Sequence, residues 1–181
     1  MKRRLLLAFA LAAISFGVNA QTASTTTTLG STGMTAKIET STTLVTLTLT
    51  GPSNRWLAIG FGGSQMSSAT DMFIWNVTAN RDYTPSGGQS APSPDASQSW
   101  TVTSDNVSGT TRTVIATRAL VSSGDYTFTN TATNIPVIFA LGSSTTISSH
   151  TSRGSTTISR TLANDEFSLE KSSIFPNPSN G

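Results

Sequence analysis

About nine short segments of strand-like sequence, spaced roughly ten residues apart, limit what this chain can fold into. No stretch of the 181 residues keeps an apolar period of 3.6 residues, the pattern of an amphipathic helix. Threonine and serine are abundant, and charged residues make up only 11% of the chain. Threonine suits the pleated surface of a sheet. The sequence therefore predicts an all-β domain, an antiparallel β-sandwich of about nine strands.

The predicted strands alternate apolar and polar residues or form short apolar runs between turn residues. They lie at 34–39, 43–50, 55–61, 71–78, 100–103, 111–118, 125–129, 135–141 and 156–162. Leu44, Leu47 and Leu49 do not share one parity, so we expect a bulge or burial on both faces of that strand. Residues 80–99 contain three prolines and are predicted to form a long irregular connection, of the kind that often carries function.

The amino terminus has the pattern of a secretory signal peptide, residues 1–20. Lys2, Arg3 and Arg4 precede an apolar run that is too short to span a membrane, so no transmembrane segment is predicted. Removing these three residues from the 11 basic side chains leaves eight, against nine acidic ones. The signal-peptide pattern indicates a secreted protein. Since no basic cluster remains, the sequence also indicates that this protein does not bind nucleic acid.

The rest of the chain is predicted to have three parts. Residues 21–33 are rich in threonine and form a flexible lead-in that becomes an edge strand, and 34–163 form the sandwich. The tail 164–181 contains the run FPNPS, which resembles the start of the C-terminal sorting domain of type IX secretion substrates in Bacteroidota-type bacteria. That resemblance implies export to the cell surface or the medium. A proline-rich linker is the alternative for the same residues.

Two strand–glycine–loop units each end in one side chain that can ligate a metal. RWLAIGFGG leads to Met66, and VIFALG leads through SSTTISS to His150, the one histidine, 84 positions later. Imidazole and thioether are both iron ligands in haem proteins. We therefore expect Met66 and His150 to face each other across one haem iron between the layers of the sandwich. Since the chain has no cysteine, it has no disulfide, no thiolate metal site and no covalent haem attachment.

Other interpretations of these residues stay open. A lone histidine in a polar loop is commonly solvated, and methionine commonly fills gaps in a core. Met34 and Met72 are rivals of Met66 for an axial position. Four scattered aspartates are candidate catalytic or calcium-binding residues, although aspartate at such places more commonly caps turns. They are Asp71, Asp82, Asp95 and Asp125.

Four motifs in order resemble the DOMON domain family over about residues 34–162. They are WLAIGFGGSQM followed by DM; RDYTPSGGQSAPSPDASQSWTV; Arg118 and Leu120 before Gly124-Asp125; and VIFALGSSTTISSH. Haem-binding members of this family resemble the cytochrome domain of cellobiose dehydrogenase, in which a methionine and a late histidine ligate haem b. The matching residues here are Met66 and His150. Other members bind sugars or serve as interaction modules.

A non-covalent haem needs apolar walls, so the aromatic and apolar residues of the motif strands and loops are further candidates. They are Phe61, Met72, Phe73, Trp75, Trp100 and Ile147.

The function that this resemblance implies is a secreted b-type cytochrome domain that carries single electrons. With both axial positions filled by protein, iron has no open site for a substrate, so we expect an electron-transfer module and not an enzyme. Its partner would be a redox protein or an extracellular dehydrogenase. The alternatives are an adhesive module without a small ligand and a module that binds polysaccharide. In the latter, aromatic rings would stack on sugars: Trp56, Trp75, Trp100 and Tyr83.

Overall fold

The computed structural model describes residues 21–88 and 90–163. The predicted signal peptide and the predicted linker and sorting segment fall on 1–20 and 164–181, outside the described residues. Over the described ranges the regular structure is all strand, and no helix there is long and apolar enough to cross a membrane.

Within the described residues, thirteen strands form two antiparallel sheets. In chain order they are β1 (Gln21–Ser24), β2 (Thr27–Leu29), β3 (Met34–Thr40), β4 (Leu44–Pro52), β5 (Leu57–Phe61), β6 (Asp71–Trp75), β7 (Asp82–Thr84), β8 (Ser93–Pro94), β9 (Thr101–Ser108), β10 (Thr111–Ala119), β11 (Ile135–Leu141), β12 (Ser152–Ile158) and β13 (Arg160–Ala163). The first sheet has the order β13-β1-β3-β4-β10-β9, with β2 also paired to β3. The second has the order β12-β11-β5-β6-β7-β8. The predicted antiparallel β-sandwich is confirmed.

Several predicted elements differ from the observed ones. Residues 21–33 were expected to be a flexible lead-in that becomes an edge strand, but they contain β1, which is paired on both sides, and β2, which is paired with β3 alone. The connection 80–99 contains β7 and β8. Residues 125–129 form no strand. The predicted last strand is two strands, and because the chain changes direction at Ser159, β12 and β13 belong to different sheets.

The expected irregularity in β4 is also absent. Val45, Leu47 and Leu49 all point into the sandwich with strict alternation. Leu44, whose parity suggested a bulge, is the first residue of the strand and is 46% exposed. A terminal apolar residue therefore misled the prediction.

The main core lies between the two sheets. Large apolar side chains from both sheets meet there, and five aromatic rings pack together at its centre: Phe61, Phe73, Trp100, Tyr126 and Phe128. The ring centroids of Phe61 and Phe128, for example, are 5.1 Å apart. Burial of this many apolar side chains supplies the main favourable term in folding.

The second sheet is apolar on its outward face as well. Successive residues of a strand point to opposite faces, so the residues between the core positions of β5, β6 and β11 face outward. These residues are Ala58, Gly60, Met72, Ile74, Ile138 and Ala140, and most of them belong to a second apolar cluster. Met66 and Ile147 pack partly buried against this outward cluster from loops. A loop-covered apolar face of this kind is suited to hold a ligand.

Candidate functional site

A cavity of about 450 Å³ opens on the outward face of the second sheet. Its floor is apolar and includes Met72, Ile138 and Ala140. Polar and ionisable side chains stand around it, among them Ser64, Gln65, Ser67, Arg153 and Ser155, and both Met66 and His150 line it. The volume is in the range of pockets that take small ligands and cofactors, about 300–1,000 Å³.

The loop that carries Met66 is short and closed. It leaves β5 after Phe61 and returns to β6, and the Thr70 amide donates a hydrogen bond to the Phe61 carbonyl over 3.0 Å. Gly63 has to be glycine, because a Cβ there would come within 2.4 Å of the Ser68 carbonyl carbon. This tight turn places Met66, half-buried, against the outward apolar cluster. The loop is therefore built to hold the thioether in place.

The loop that carries His150 connects β11 and β12. The Gly142 amide donates to the Trp56 carbonyl over 3.0 Å, and the Thr151 amide donates to the Leu141 carbonyl over 2.8 Å. These bonds fix both ends of the loop on the sheet. His150 stays exposed, and its Nε2 lies 3.4 Å from the Arg153 guanidinium. The exposed imidazole lines the cavity beside Arg153.

The two loops leave opposite ends of the sheet. The Met66 loop follows Phe61, at one end of β5, and the His150 loop follows Leu141, which is paired with Leu57 at the other end. Since a strand rises about 3.3 Å per residue, the ends of five-residue β5 are roughly 13 Å apart. Met66 and His150 therefore come from loops at opposite ends of these strands, and both line the cavity.

The structure assigns different places to the other predicted haem-contact residues. Met72 lines the cavity, and Ile147 packs against the outward cluster. Four predicted wall residues, Phe61, Phe73, Trp75 and Trp100, belong to the core between the sheets and do not line the cavity. The cavity that Met66 and His150 line is on the outward face of the second sheet, and not between the layers, where the site was expected. Those four positions have inward parity, and the space between the sheets is filled by side chains.

Met34, the rival methionine, and the four residues expected to stack on sugars are all buried. Met34 is fully buried in the core between the sheets, which removes it as an axial candidate. Of the residues expected to stack on sugar, each is at most 6% exposed: Trp56, Trp75, Trp100 and Tyr83. Because a stacking platform needs an open ring face, these four side chains do not form one.

A buried carboxylate cluster was missed from the sequence. Oxygen atoms of Asp71, Asp82 and Asp125 lie within 4.8 Å of one another. Asp71 also forms a buried 2.6 Å ion pair with Arg118 of the opposite sheet. Burial nevertheless raises the pKa of Asp71 to about 7. Each of the four residues lies in one of the motifs quoted above, a signal that could have grouped them.

Comparison with known proteins agrees with this architecture. The family model described as "DOMON domain" matches residues 16–142. A solved structure of the cytochrome b domain of pyranose dehydrogenase from Coprinopsis cinerea superposes with a TM-score of 0.57. That alignment has 11% sequence identity and covers 75% of this chain and 81% of the other, so it shows a shared fold. No curated protein matches the sequence. The chain belongs to the DOMON domain family.

Proposed function

We propose that this protein is a secreted b-type cytochrome domain that binds one haem b non-covalently and carries single electrons. The observation that carries the proposal is the cavity on the outward face, which has Met66 on one loop and His150 on another. The two side chains are 84 positions apart in sequence and come from opposite ends of the sheet. A thioether and an imidazole on opposed loops are the pair that would grip an iron from both axial sides.

The remaining cavity residues fit the same group. Met72, Ile138 and Ala140 offer an apolar floor for a porphyrin face. Arg153 brings a guanidinium to the cavity, where it would pair with a propionate carboxylate. Bound haem supplies one-electron chemistry at its iron. Met66 and His150 would fill both axial positions and exclude substrate from the metal, and the neutral thioether would favour a higher potential.

The fold neighbour suggests the kind of partner. Its description names the cytochrome b domain of a pyranose dehydrogenase, so that domain belongs to a dehydrogenase. We propose that this chain likewise exchanges electrons with a redox protein or an extracellular dehydrogenase. The signal-peptide pattern and the FPNPS run support export, with type IX secretion as the route.

Haem reconstitution tests the proposal directly. The purified full chain, titrated with haemin, should give a stoichiometric red complex whose absorption bands sharpen on reduction. His150→Ala should lose most of the haem, because imidazole is the stronger of the two ligands. A colourless wild-type protein, or a His150→Ala protein with unchanged haem affinity, would contradict the assignment.

The choice between Met66 and Met72 needs a second measurement, because both line the cavity. Met66→His should retain haem and lower its reduction potential, since imidazole stabilises ferric iron better than a thioether does. Met72→Leu is the matched control, because it alters the cavity floor without removing the proposed ligand. If Met72→Leu moved the potential and Met66→His did not, Met72 would be the ligand.

A further inference from the structure

The carboxylate cluster lies inside the sandwich, away from the cavity. Asp71 and Asp82 are at most 1% exposed, and Asp125 is half-buried in the irregular segment after β10. Arg118 compensates one of the three carboxylates through its ion pair with Asp71. When all three are ionised, two negative charges are left, one on the buried Asp82 and one on the half-buried Asp125. Buried charges of this kind are costly unless they are paired or coordinate a metal.

The hydrogen bonds of the cluster are incomplete. Asp71 Oδ1 and Asp82 Oδ1 are buried and have no donor. Ser99 Oγ lies 2.5 Å from Asp82 Oδ2 and 2.9 Å from Asp125 Oδ2. A hydroxyl has one hydrogen, so Ser99 can donate to only one of these two carboxylates at a time. Two buried carboxylate oxygens therefore lack a donor, and the Asp82 and Asp125 carboxylates share one hydroxyl.

We propose that Asp71, Asp82 and Asp125 bind one calcium ion between the sheets, with Ser99 Oγ as a further oxygen ligand. The ion would compensate the two negative charges that Arg118 leaves and would use the carboxylate oxygens that have no donor. The site is separate from the haem cavity, and its occupation does not depend on haem.

The donor set favours calcium over other common cations. All the atoms offered are oxygens, whereas zinc is typically held by nitrogen and sulfur. Calcium accepts six to eight oxygens at about 2.3–2.6 Å in flexible geometry. Two oxygens on opposite sides of one ion are thus about 4.6–5.2 Å apart, and the three carboxylates lie within 4.8 Å of one another. Magnesium would keep several of its waters and demands near-ideal octahedral geometry, which a buried cluster does not readily supply.

The position of the cluster gives the ion a structural task. Asp71 is the first residue of β6 after the Met66 loop, Asp82 belongs to β7, and Asp125 lies in the segment between β10 and β11. A shared ion would tie these three segments together near one end of the second sheet. Since such an ion binds only the folded state, it should stabilise the protein by mass action.

Calcium and terbium titrations of the chelator-treated full chain test the proposal. With calcium about a hundredfold above its Kd, the unfolding midpoint should rise by about 5–10 °C. Terbium occupies calcium sites and should give luminescence sensitised by Trp100, which is next to Ser99 in sequence. Calcium should displace the terbium and remove that signal.

Two variants of the cluster and one control variant test whether these aspartates bind the calcium ion. Asp125→Asn, the mildest change because this residue is half-buried, should weaken calcium binding at least tenfold, and Asp82→Asn should do the same. Asp105→Asn, at a surface aspartate paired with Arg112, should respond to calcium as the wild type does. The proposal would be overturned if calcium did not raise the unfolding midpoint of the wild type, or if it raised the midpoint equally in all variants. Loss of the shift in the two cluster variants alone supports it, whether or not the protein binds haem.

Discussion

The two faces of the second sheet are built from the same three strands but differ in side-chain size. On the face toward the core, β5, β6 and β11 present large residues such as Phe61, Phe73 and Phe139. On the outward face the same strands have no aromatic residue and mix Met72, Ile74 and Ile138 with small residues such as Gly60 and Ala140. Large side chains fill the space between the sheets, whereas the outward face is covered by loops that leave a cavity over part of it. One face therefore stabilises the fold, and the other forms the candidate site.

The largest difference between the faces should appear when the core is truncated. Phe61→Ala removes a ring that packs against Trp100, Tyr126 and Phe128, so the free energy of unfolding should fall by about 3–5 kcal/mol. Urea denaturation of the haem-free protein would measure it. A loss below about 1 kcal/mol would mean that the inward face does not dominate stability.

A smaller effect should follow from adding one methyl group to the outward face. In Gly60→Ala the new Cβ would lie 2.8 Å from Ile138 Cγ1 and 3.2 Å from Met72 Cγ, so both side chains must shift. We expect a loss of about 1 kcal/mol in unfolding free energy. Haem affinity should fall as well, because both displaced residues line the cavity. If stability fell as expected but haem affinity did not change, Gly60 would not contribute to the haem site.

The smallest effect on stability should come from filling the cavity itself. Ala140→Phe places a ring over the apolar floor without removing any core contact, so unfolding free energy should change by less than about 1 kcal/mol. Haem affinity should nevertheless fall at least tenfold, as measured by haemin titration. Thr157→Phe, on an exposed outward position of β12 beyond the cavity, is the control and should bind haem normally. Equal haem affinity in the two variants would place the haem elsewhere.

The positions of most strands along the chain could be predicted. The face that each strand turns toward the core could not. The apolar runs at β5, β6 and β11 were identified because they are short and lie between turn residues. In these runs, however, both alternating sets are apolar, so parity does not tell which set faces the core. Phe61, Phe73, Trp75 and Trp100, which were predicted as walls of a site between the layers, fill the core there.

The residues of the candidate site could also be predicted only in part. Met66 and His150 could be singled out because each is a rare residue type after a strand–glycine unit, and the cavity brings both together. The aspartates were not grouped, because Asp71 and Asp125 are 54 positions apart and only their shared membership of the family motifs linked them. Single-residue chemistry is visible in a sequence, whereas a cluster made by tertiary contacts is not.

In the proposed function, the position of the cavity on the outside of the sandwich determines how an electron would leave a bound haem. A group seated there has the protein on one side and the molecular surface on the other. Transfer would then need no relay of aromatic side chains through the interior, and a docked protein could approach within a short tunnelling distance. The rate of electron transfer would then depend on how well a partner protein fits the outward face of the second sheet.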